Sequence, residues 1–484
     1  MLSFVSLCFA LVAGAIGGEL PKNEEVGARL YDTGYIHETI MAKKHATWDR
    51  QRAAGVMQSN RYPEIASKVR CVDGTAVVPP GGQLNTFRCK GIDLIHFLSH
   101  AELGSATGEG SSTWGWTSPG GREFIALGQA DGTAFLEINK QGKMVYLGRL
   151  PTNSVPAIWR EIRGYRNYMV IGSEAVGHNI QLFDMTKLLN VDPASPTVFS
   201  NLTDVTGHFT DLPIGRTHNV VTNEEAGWAY SVGAAPRNST CKAGLIFIDL
   251  KDPSNPTSPG CNADDGYVHD AQCVIYRGPD FKYWGREICY GYNEDTLTIY
   301  DVTDKSKSTI ISRTSYEGAN YTHQGWLLDQ KWQKYLVLDD EYDEYEKIEP
   351  AADGHPVTYI WDVSNLDKPK NTGYFKNTNA HSVDHNQYVI DGFAFQSNYG
   401  SGFRVLDLRS IPDDPTGGGV EEVAFFDIYP EDDSTPGGGV IDFVGTWGSY
   451  AYFKSGYIFV NTIERGGFVL KLQKPLPRGF SARR

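Results

Sequence analysis

The chain has 484 residues and a formal charge of −14, with 58 acidic against 44 basic side chains. Binding to nucleic acid or to an anionic membrane surface requires a basic field, so this charge argues against both partners. The length alone would favour two or three domains, but closed all-β architectures often exceed that rule.

The first residues form an apolar, almost uncharged run from Leu2 to Ala15, followed by Gly17 and Gly18. This pattern predicts a secretory signal peptide over residues 1–18, although the usual basic segment before the run is missing. The run is shorter than the roughly 20 apolar residues of a membrane helix. We therefore expect a secreted, extracellular protein with no membrane span after signal removal.

Six cysteines follow the predicted signal peptide, and an even number in a secreted chain predicts three disulfide bonds. Six cysteines allow fifteen pairings. Their order along the chain favours Cys71–Cys89, Cys241–Cys261 and Cys273–Cys289. The absence of a CxxC pair disfavours a metal cluster of cysteines. Acceptor motifs for N-linked glycosylation, which fit the same secretory route, begin at Asn201, Asn238 and Asn320.

Residues 19–90 form an N-terminal extension ahead of the repeats. The segment Val26–Ala54 is rich in Ala, Lys, Arg and Glu and predicts a partly helical structure. It leads into the loop that the Cys71–Cys89 pair is expected to clamp.

The rest of the chain repeats a short apolar strand that ends in an acidic or polar residue. The five clearest copies end at Asp184, Asp249, Asp301, Asp362 and Asp407. Weaker copies are Ala134–Glu137 and Phe468–Lys471. Each copy belongs to a unit of three or four strands over roughly 40–55 residues, which is the period of β-propeller blades. The Asp that ends a strand is expected to be a structural turn residue.

Seven such units fit, so we predict an all-β fold, a seven-bladed β-propeller over residues 91–474, followed by a tail over 475–484. The last unit ends with its third strand, Gly467–Leu472. A strand over residues 91–98, ahead of the first unit, is expected to complete the last blade and close the ring, which removes an exposed edge.

Aligning the units on their first strands places one imidazole or indole at each opening. In chain order these residues are Trp114, Trp159, His218, His269, His323, His385 and Trp447. Because the first strand of a blade lines the central channel, the alignment predicts a ring around the channel axis. Four contiguous blades would contribute histidine and the other three tryptophan.

The second strand of each blade returns to the same face, where several strand ends carry carboxylates. These ends include Glu174, Glu294, the run Asp339–Glu341, and Asn398. Neutral imidazole and carboxylate together suit a divalent transition metal. We therefore predict a divalent-metal site formed by the four histidines with Glu341 or Glu294. The alternative is a hydrogen-bonded plug that seals the channel.

Two further features allow two interpretations each. Trp114, Trp159 and Trp447 are either a platform for a sugar or packing residues. The acidic run Asp339–Glu344 is either a Ca²⁺ site or a solvated loop.

Several long motifs resemble the choice-of-anchor B family of LVIVD-repeat β-propeller proteins. The segments that carry the resemblance are Gly132–Phe135, Val268–Cys273, Gly278–Asp280, Arg286–Cys289, Asn293–Ile299, Tyr321–Trp326, Asp340–Glu341, Asp384–Asn386 and Gln396–Tyr399. The resemblance spans about Cys71 to Leu472 and implies a secreted or surface-held propeller without an established activity. Many members carry a C-terminal anchor, whereas Pro475–Arg484 has no apolar tail.

Two classes of function remain open. The first is a metal-assisted extracellular hydrolase or lyase that acts on a polysaccharide or a small organic ligand, with the metal as Lewis acid or water activator. No catalytic residue is assigned, and the absence of a GxSxG motif together with paired cysteines disfavours a Ser or Cys nucleophile. The second is a non-catalytic extracellular or cell-wall binding scaffold.

Overall fold

The computed structural model describes residues 18–477. The predicted signal peptide, apart from Gly18, and residues 478–484 of the predicted tail lie outside the described residues. None of the described helices combines the length and the hydropathy that crossing a membrane requires.

Seven sheets, each built on four antiparallel strands, form the blades of a β-propeller, which confirms the predicted fold class. Blade 1 contains the strands Gly110–Thr117, Glu123–Gln129, Gly132–Ile138 and Met144–Pro151, and blade 2 contains Arg160–Tyr165, Tyr168–Ser173, Ile180–Asp184 and Gly207–Phe209. Blade 3 contains Asn219–Asn223, Trp228–Val232, Leu245–Asp249 and Thr257–Asn262. Blade 4 contains Asp270–Ile275, Glu287–Tyr292, Leu297–Asp301 and Thr309–Tyr316. Blade 5 contains Thr322–Leu327, Tyr335–Asp340, Val357–Asp362 and Lys370–Lys376. Blade 6 contains Gln387–Ile390, Phe393–Ser397, Phe403–Asp407 and Glu421–Phe426. Blade 7 contains Thr446–Tyr450, Tyr457–Thr462, Gly466–Leu472 and Ile92–Ser99.

The ring is closed by a strand from the N-terminal part of the chain. Ile92–Ser99 pairs antiparallel with Gly466–Leu472, so that Phe97 lies opposite Phe468. The inner strands of blades 1 and 7 also contact each other. Both chain ends of the propeller therefore share one sheet, in which Ile92–Ser99 is the outermost strand.

The extension before residue 92 is built into the propeller rather than separate from it. Its strand Glu19–Pro21 extends blade 4, and Thr75–Val77 and Thr86–Lys90 extend blade 6. A short strand outside the extension, Thr197–Val198, adds in parallel to blade 1.

The short helical segments of the described chain are Glu24–Val26, Gly27–Tyr31, Ser59–Arg61, Gln83–Asn85, Met185–Asn190, Phe281–Tyr283 and Asp343–Glu346.

Hydrophobic cores lie between neighbouring blades. Because each sheet packs against another on both faces, the central strands are continuously apolar instead of alternating. Leu336, Val337 and Leu338 are consecutive in blade 5, and all three are fully buried. In the third strand of five blades the repeated Asp ends the apolar stretch of that strand. Asp184, for example, accepts hydrogen bonds from the amide and the hydroxyl of Thr186, two residues further on.

Three disulfide bonds join the pairs that the sequence order favours, Cys71–Cys89, Cys241–Cys261 and Cys273–Cys289. The first fixes the extension to the strand Thr86–Lys90. The second lies within blade 3, and the third joins opposite residues of the first two strands of blade 4.

The longest helix, Tyr35–Ala53, has 19 residues and lies across one mouth of the central channel. We call it the covering helix. Its buried residues are His37, Ile40, Met41, Lys44, Thr47, Trp48 and Gln51. This three-and-four spacing describes one face of a helix. More than half of that face is polar because the surface beneath it is also polar.

Candidate metal centre at the covered mouth of the channel

Four imidazole rings lie side by side beneath the covering helix. The ring centroids are 4.3 Å apart for His218 and His269, 4.3 Å for His269 and His323, and 4.7 Å for His323 and His385. Trp447 follows His385 at 5.3 Å. Each of these residues lies within two residues of the start of the inner strand of its blade, so the repeat itself brings them together.

Each imidazole is oriented by a hydrogen bond at Nδ1. The acceptors are a carboxylate oxygen of Glu174 for His218 at 2.5 Å, the His323 carbonyl for His269 at 2.9 Å, a carboxylate oxygen of Asp339 for His323 at 3.0 Å, and the Trp447 carbonyl for His385 at 2.7 Å. Carbonyl and carboxylate oxygens only accept hydrogen bonds, so Nδ1 of each histidine carries the proton and its Nε2 presents a lone pair. Histidine ligands of metals are held in this way.

The four Nε2 atoms form no hydrogen bond with any described residue, and Glu341 lies beside those of His323 and His385. Its Oε2 is 3.9 Å from Nε2 of His323, and its Oε1 is 3.7 Å from Nε2 of His385. Glu341 is fully buried, and its Oε2 has no hydrogen-bond partner within the described residues.

One potential ligand atom from each of His269, His323 and Glu341 lies within 4.8 Å of the others. A transition metal bound at about 2.0–2.2 Å from each ligand holds the ligand atoms roughly 3–3.5 Å apart. Small rotations of these side chains would bring their ligand atoms to that separation. The four histidines, with Trp159 and Trp447 among the other lining residues, line a cavity of about 10 Å³. That volume matches one water-sized particle and no polymer.

The electrostatics of the cluster favour neutral imidazoles beside a charged carboxylate. Burial lowers the pKa of His269 and of His323 well below the usual value, and lowers the pKa of His385 to about 4. Burial, the largest single effect, would raise the pKa of Glu341, but the Lys44 ammonium, His385 and the Tyr399 hydroxyl together outweigh it and hold that pKa below its usual value. This is the donor set that divalent transition metals prefer.

Lys44 is the residue at this centre that sequence reasoning missed. It projects from the covering helix, is 2% exposed, and its Nζ donates to Oε1 of Glu341 at 2.6 Å. The Tyr399 hydroxyl donates to the same oxygen. Lys44 is recognised as a residue of the buried helix face only when polar as well as apolar residues are counted in the three-and-four spacing.

Glu294 does not belong to this centre, contrary to the prediction. Its two carboxylate oxygens accept hydrogen bonds from Arg237 at 2.9 and 2.6 Å. Arg237 is itself fixed over the ring of Tyr267, with the guanidinium carbon 3.9 Å from the ring centroid. The carboxylate at the end of the second strand of blade 4 is therefore committed to an ion pair.

The three tryptophans are divided between the two ends of the channel. Trp159 and Trp447 lie at the covered mouth with ring centroids 6.5 Å apart, and Trp48 of the covering helix packs at 4.8 and 6.3 Å from them. Trp114 is not in the ring, because its strand begins four residues earlier, at Gly110. It lines a cavity of about 500 Å³ where the inner strands end.

The predicted glycosylation sites differ in exposure. Asn238 is exposed, whereas Asn201 and Asn320 are partly buried. The side-chain amides of the last two donate to the carbonyls of Thr152 and Tyr342.

No protein-family model and no curated protein matches the chain. Among solved structures, it is similar to the β-propeller domain of Cps50 (Swd1) from Myceliophteria thermophila, at 10% identity and a TM-score of 0.44 over 75% of this chain and 97% of that chain. It is also similar to the computationally designed Ika8 protein, at 10% identity and a TM-score of 0.42 over 84% and 95% of the two chains. These likenesses concern the fold alone.

Proposed function

We propose that this protein is a secreted β-propeller that binds one divalent transition-metal ion at the covered mouth of its channel. His269, His323 and Glu341 are the proposed ligands, with His385 and His218 as the adjoining members of the set. One observation carries the proposal: every imidazole is hydrogen-bonded at Nδ1, and the Nε2 atoms of His323 and His385 lie next to the buried carboxylate of Glu341, whose Oε2 has no hydrogen-bond partner within the described residues.

A hydrogen-bonded plug would be built differently. Buried polar groups in native proteins satisfy one another, so a plug should pair the Nε2 atoms with donors from neighbouring blades. Here the separations from Nε2 to Glu341 are 3.7 and 3.9 Å, which are too long for hydrogen bonds and suitable for ligands of a shared ion.

Secretion is part of the same proposal. Three disulfide bonds within the described residues fit an oxidising compartment. The resemblance to the choice-of-anchor B family, whose members are secreted or surface-held, supports the same location.

The closed geometry favours a binding scaffold over a hydrolase or lyase. Bound by imidazole and carboxylate, a metal supplies Lewis acidity. However, the cavity that the four imidazoles line is only about 10 Å³ in volume, which does not admit a polysaccharide. Lys44 of the covering helix pairs with Glu341, and Trp48 of the same helix packs against Trp159. We therefore propose that the metal stabilises the centre and the helix above it.

Metal content tests the proposal. Full-length protein stripped with a chelator, reloaded separately with Zn²⁺, Mn²⁺, Co²⁺, Ni²⁺ or Cu²⁺ and dialysed, should retain about one equivalent of at least one ion by elemental analysis. The variant His269→Ala/His323→Ala loses two ligands, and its affinity for that ion should fall by more than about 100-fold.

His208→Ala is the matched control, because His208 lies on the last strand of blade 2 and contacts His178 rather than the ring. It should retain the metal of the unmodified protein. Folded protein that retains none of the five ions, or a double variant that binds as tightly as the parent, would overturn the proposal.

A further inference from the structure

A cavity of about 500 Å³ lies where the inner strands of the blades end, at the mouth of the channel away from the covering helix. We call it the open cavity. Exposed side chains of both charges form part of its rim, among them Arg166 and Glu224, so it opens to solvent. Ligand sites in proteins have volumes of about 300–1,000 Å³. The open cavity therefore has room for a ligand much larger than the single ion of the imidazole centre.

Aromatic side chains from three blades line one side of the open cavity. They are Trp114 and Trp116 of blade 1, Trp326 of blade 5, and Tyr450 and Tyr452 at or just after the end of the inner strand of blade 7. The centroid of the Trp114 ring lies 5.4 Å from that of Tyr450 and 6.0 Å from that of Tyr452. Trp114 and Trp326 are only partly buried, so part of each ring is free to contact a ligand.

Neighbouring blades hold these rings in place. Tyr388 of blade 6 lies between Trp114 and Trp326, with its ring centroid 5.4 and 5.1 Å from theirs. Trp114 also packs against Gly164 of blade 2, where a Cβ atom would lie 2.6 Å from Nε1 of Trp114. A larger residue at position 164 would therefore displace the ring. An aromatic surface that is already fixed loses little conformational entropy when a ligand binds.

The charged groups around the open cavity compensate one another. Arg163 is 5% exposed and forms ion pairs with Glu161 and Asp270. Nearer the rim, Arg277 pairs with Glu225. Phosphate and carboxylate ligands are bound by basic side chains whose donors are free. The pairing of these arginines therefore favours an uncharged ligand.

Gln272 of blade 4 lines the open cavity with an unused hydrogen-bond donor. It is 4% exposed, and its Oε1 accepts a hydrogen bond from the Leu327 amide at 2.8 Å, which fixes the orientation of the side-chain amide. Its Nε2 donates to no described residue and is available to an oxygen atom of a ligand. Thr222 and Asn223 of blade 3 add to the uncharged polar part of the lining.

We propose that the open cavity binds a short, uncharged oligosaccharide. A pyranose ring has apolar CH groups on its faces and hydroxyl groups around its edge, so it uses aromatic rings and neutral hydrogen-bonding groups at the same time. The sugar rings pack on Trp114 and Trp326, and one hydroxyl accepts a hydrogen bond from Nε2 of Gln272. A purely aromatic ligand would leave that donor without a partner. The proposal does not depend on the metal centre, which lies near the opposite ends of the inner strands.

Isothermal titration calorimetry of full-length, chelator-treated protein tests the proposal, with cellohexaose, xylohexaose, mannohexaose, laminarihexaose, maltohexaose and chitohexaose as probes. At least one of these sugars should bind at a single site on the chain. Trp114→Ala removes a stacking surface and should weaken that binding at least about tenfold. Gln272→Glu keeps the Oε1 acceptor but loses the Nε2 donor, and should weaken it about fivefold. Because Gln272→Glu leaves the aromatic rings intact, it tests the site even if Trp114→Ala folds poorly.

Trp284→Ala is the matched control. Trp284 is 49% exposed and stacks on Phe281, but it does not line the open cavity. This variant should bind the sugar like the parent. The variant His269→Ala/His323→Ala should do so too, which makes a failure of the metal centre distinguishable from a failure of this site.

Two results would contradict the proposal. The first is a parent protein that shows no heat of binding with any of the six sugars at about 5 mM. The second is sugar binding that Trp114→Ala and Gln272→Glu both leave unchanged, or that Trp284→Ala abolishes, since the sugar would then bind outside the open cavity.

Discussion

Replacing Lys44 with Met is expected to lower the free energy of unfolding of the chelator-treated protein by about 3–5 kcal/mol. Nζ of Lys44 and Oε1 of Glu341 are 2.6 Å apart, with side chains only 3% and 0% exposed. Met retains most of the packing of the lysine stem, so the substitution isolates the charge. The Glu341 carboxylate is then left buried without its counter-ion. Chemical denaturation followed by tryptophan fluorescence measures the loss.

Lys43→Met is the control, since Lys43 occupies the preceding position of the same helix. Its partner Glu346 is exposed, and the two side chains are 30% and 43% accessible. Surface pairs of this kind contribute about 0–1 kcal/mol, so this variant should remain close to the parent. Equal effects of the two substitutions would contradict the assigned role of Lys44.

A divalent metal should restore part of the stability that Lys44→Met loses. The bound ion supplies positive charge next to Glu341, and a ligand that binds only the folded state stabilises it by mass action. The midpoint of denaturation of Lys44→Met should therefore rise more on metal addition than that of the parent. A smaller rise in the variant would indicate that Lys44 helps to bind the metal instead of competing for the carboxylate.

The propeller and the close approach of the four histidines could be predicted from the repeat in the sequence. His218, His269, His323 and His385 begin four successive units, and equivalent positions of successive blades meet around one axis. Trp114 was misplaced because the inner strand of blade 1 begins at Gly110, four residues before it. An alignment of the blades on this conspicuous aromatic residue therefore places the start of that strand four residues too late.

The choice between Glu294 and Glu341 was not accessible from the sequence. Both follow the second strand of their blades, and both are buried. Glu294 is engaged by Arg237, which is 57 positions away. Glu341 instead faces imidazoles from two blades. Only the three-dimensional partners separate a committed ion pair from a candidate ligand.

The covering helix was predicted as a helix but not as a cover. A helix that docks on a core normally shows an apolar stripe. Here the docked face alternates Ile40, Met41 and Trp48 with His37, Lys44, Thr47 and Gln51, whose polar atoms pair with strand-end residues of the propeller. Hydrophobic periodicity cannot detect such a face, because half of its recognition is by hydrogen bonds and charge.

The helix is expected to control access to the metal centre, and Trp48→Ala is the substitution that tests this. Trp48 is fully buried, packs 4.8 Å from Trp159 and donates from Nε1 to the Phe443 carbonyl at 2.9 Å. Truncating a buried Trp typically costs about 3–5 kcal/mol. Because Trp48 ties the helix to the rim of the channel, the helix should also detach more often. Limited proteolysis should cut within Tyr35–Ala53 faster than in the parent.

Bound metal should be released faster to a chromogenic chelator in the Trp48→Ala variant, because detachment of the helix exposes the four histidines of the centre. Tyr35→Ala is the control: Tyr35 lies on the same helix, is 61% exposed, and should change stability by no more than about 0.5 kcal/mol. Faster proteolysis with an unchanged rate of metal release would mean that the metal leaves by another route, through the end of the channel that Trp114 lines. Unchanged proteolysis would mean that Trp48 does not anchor the helix.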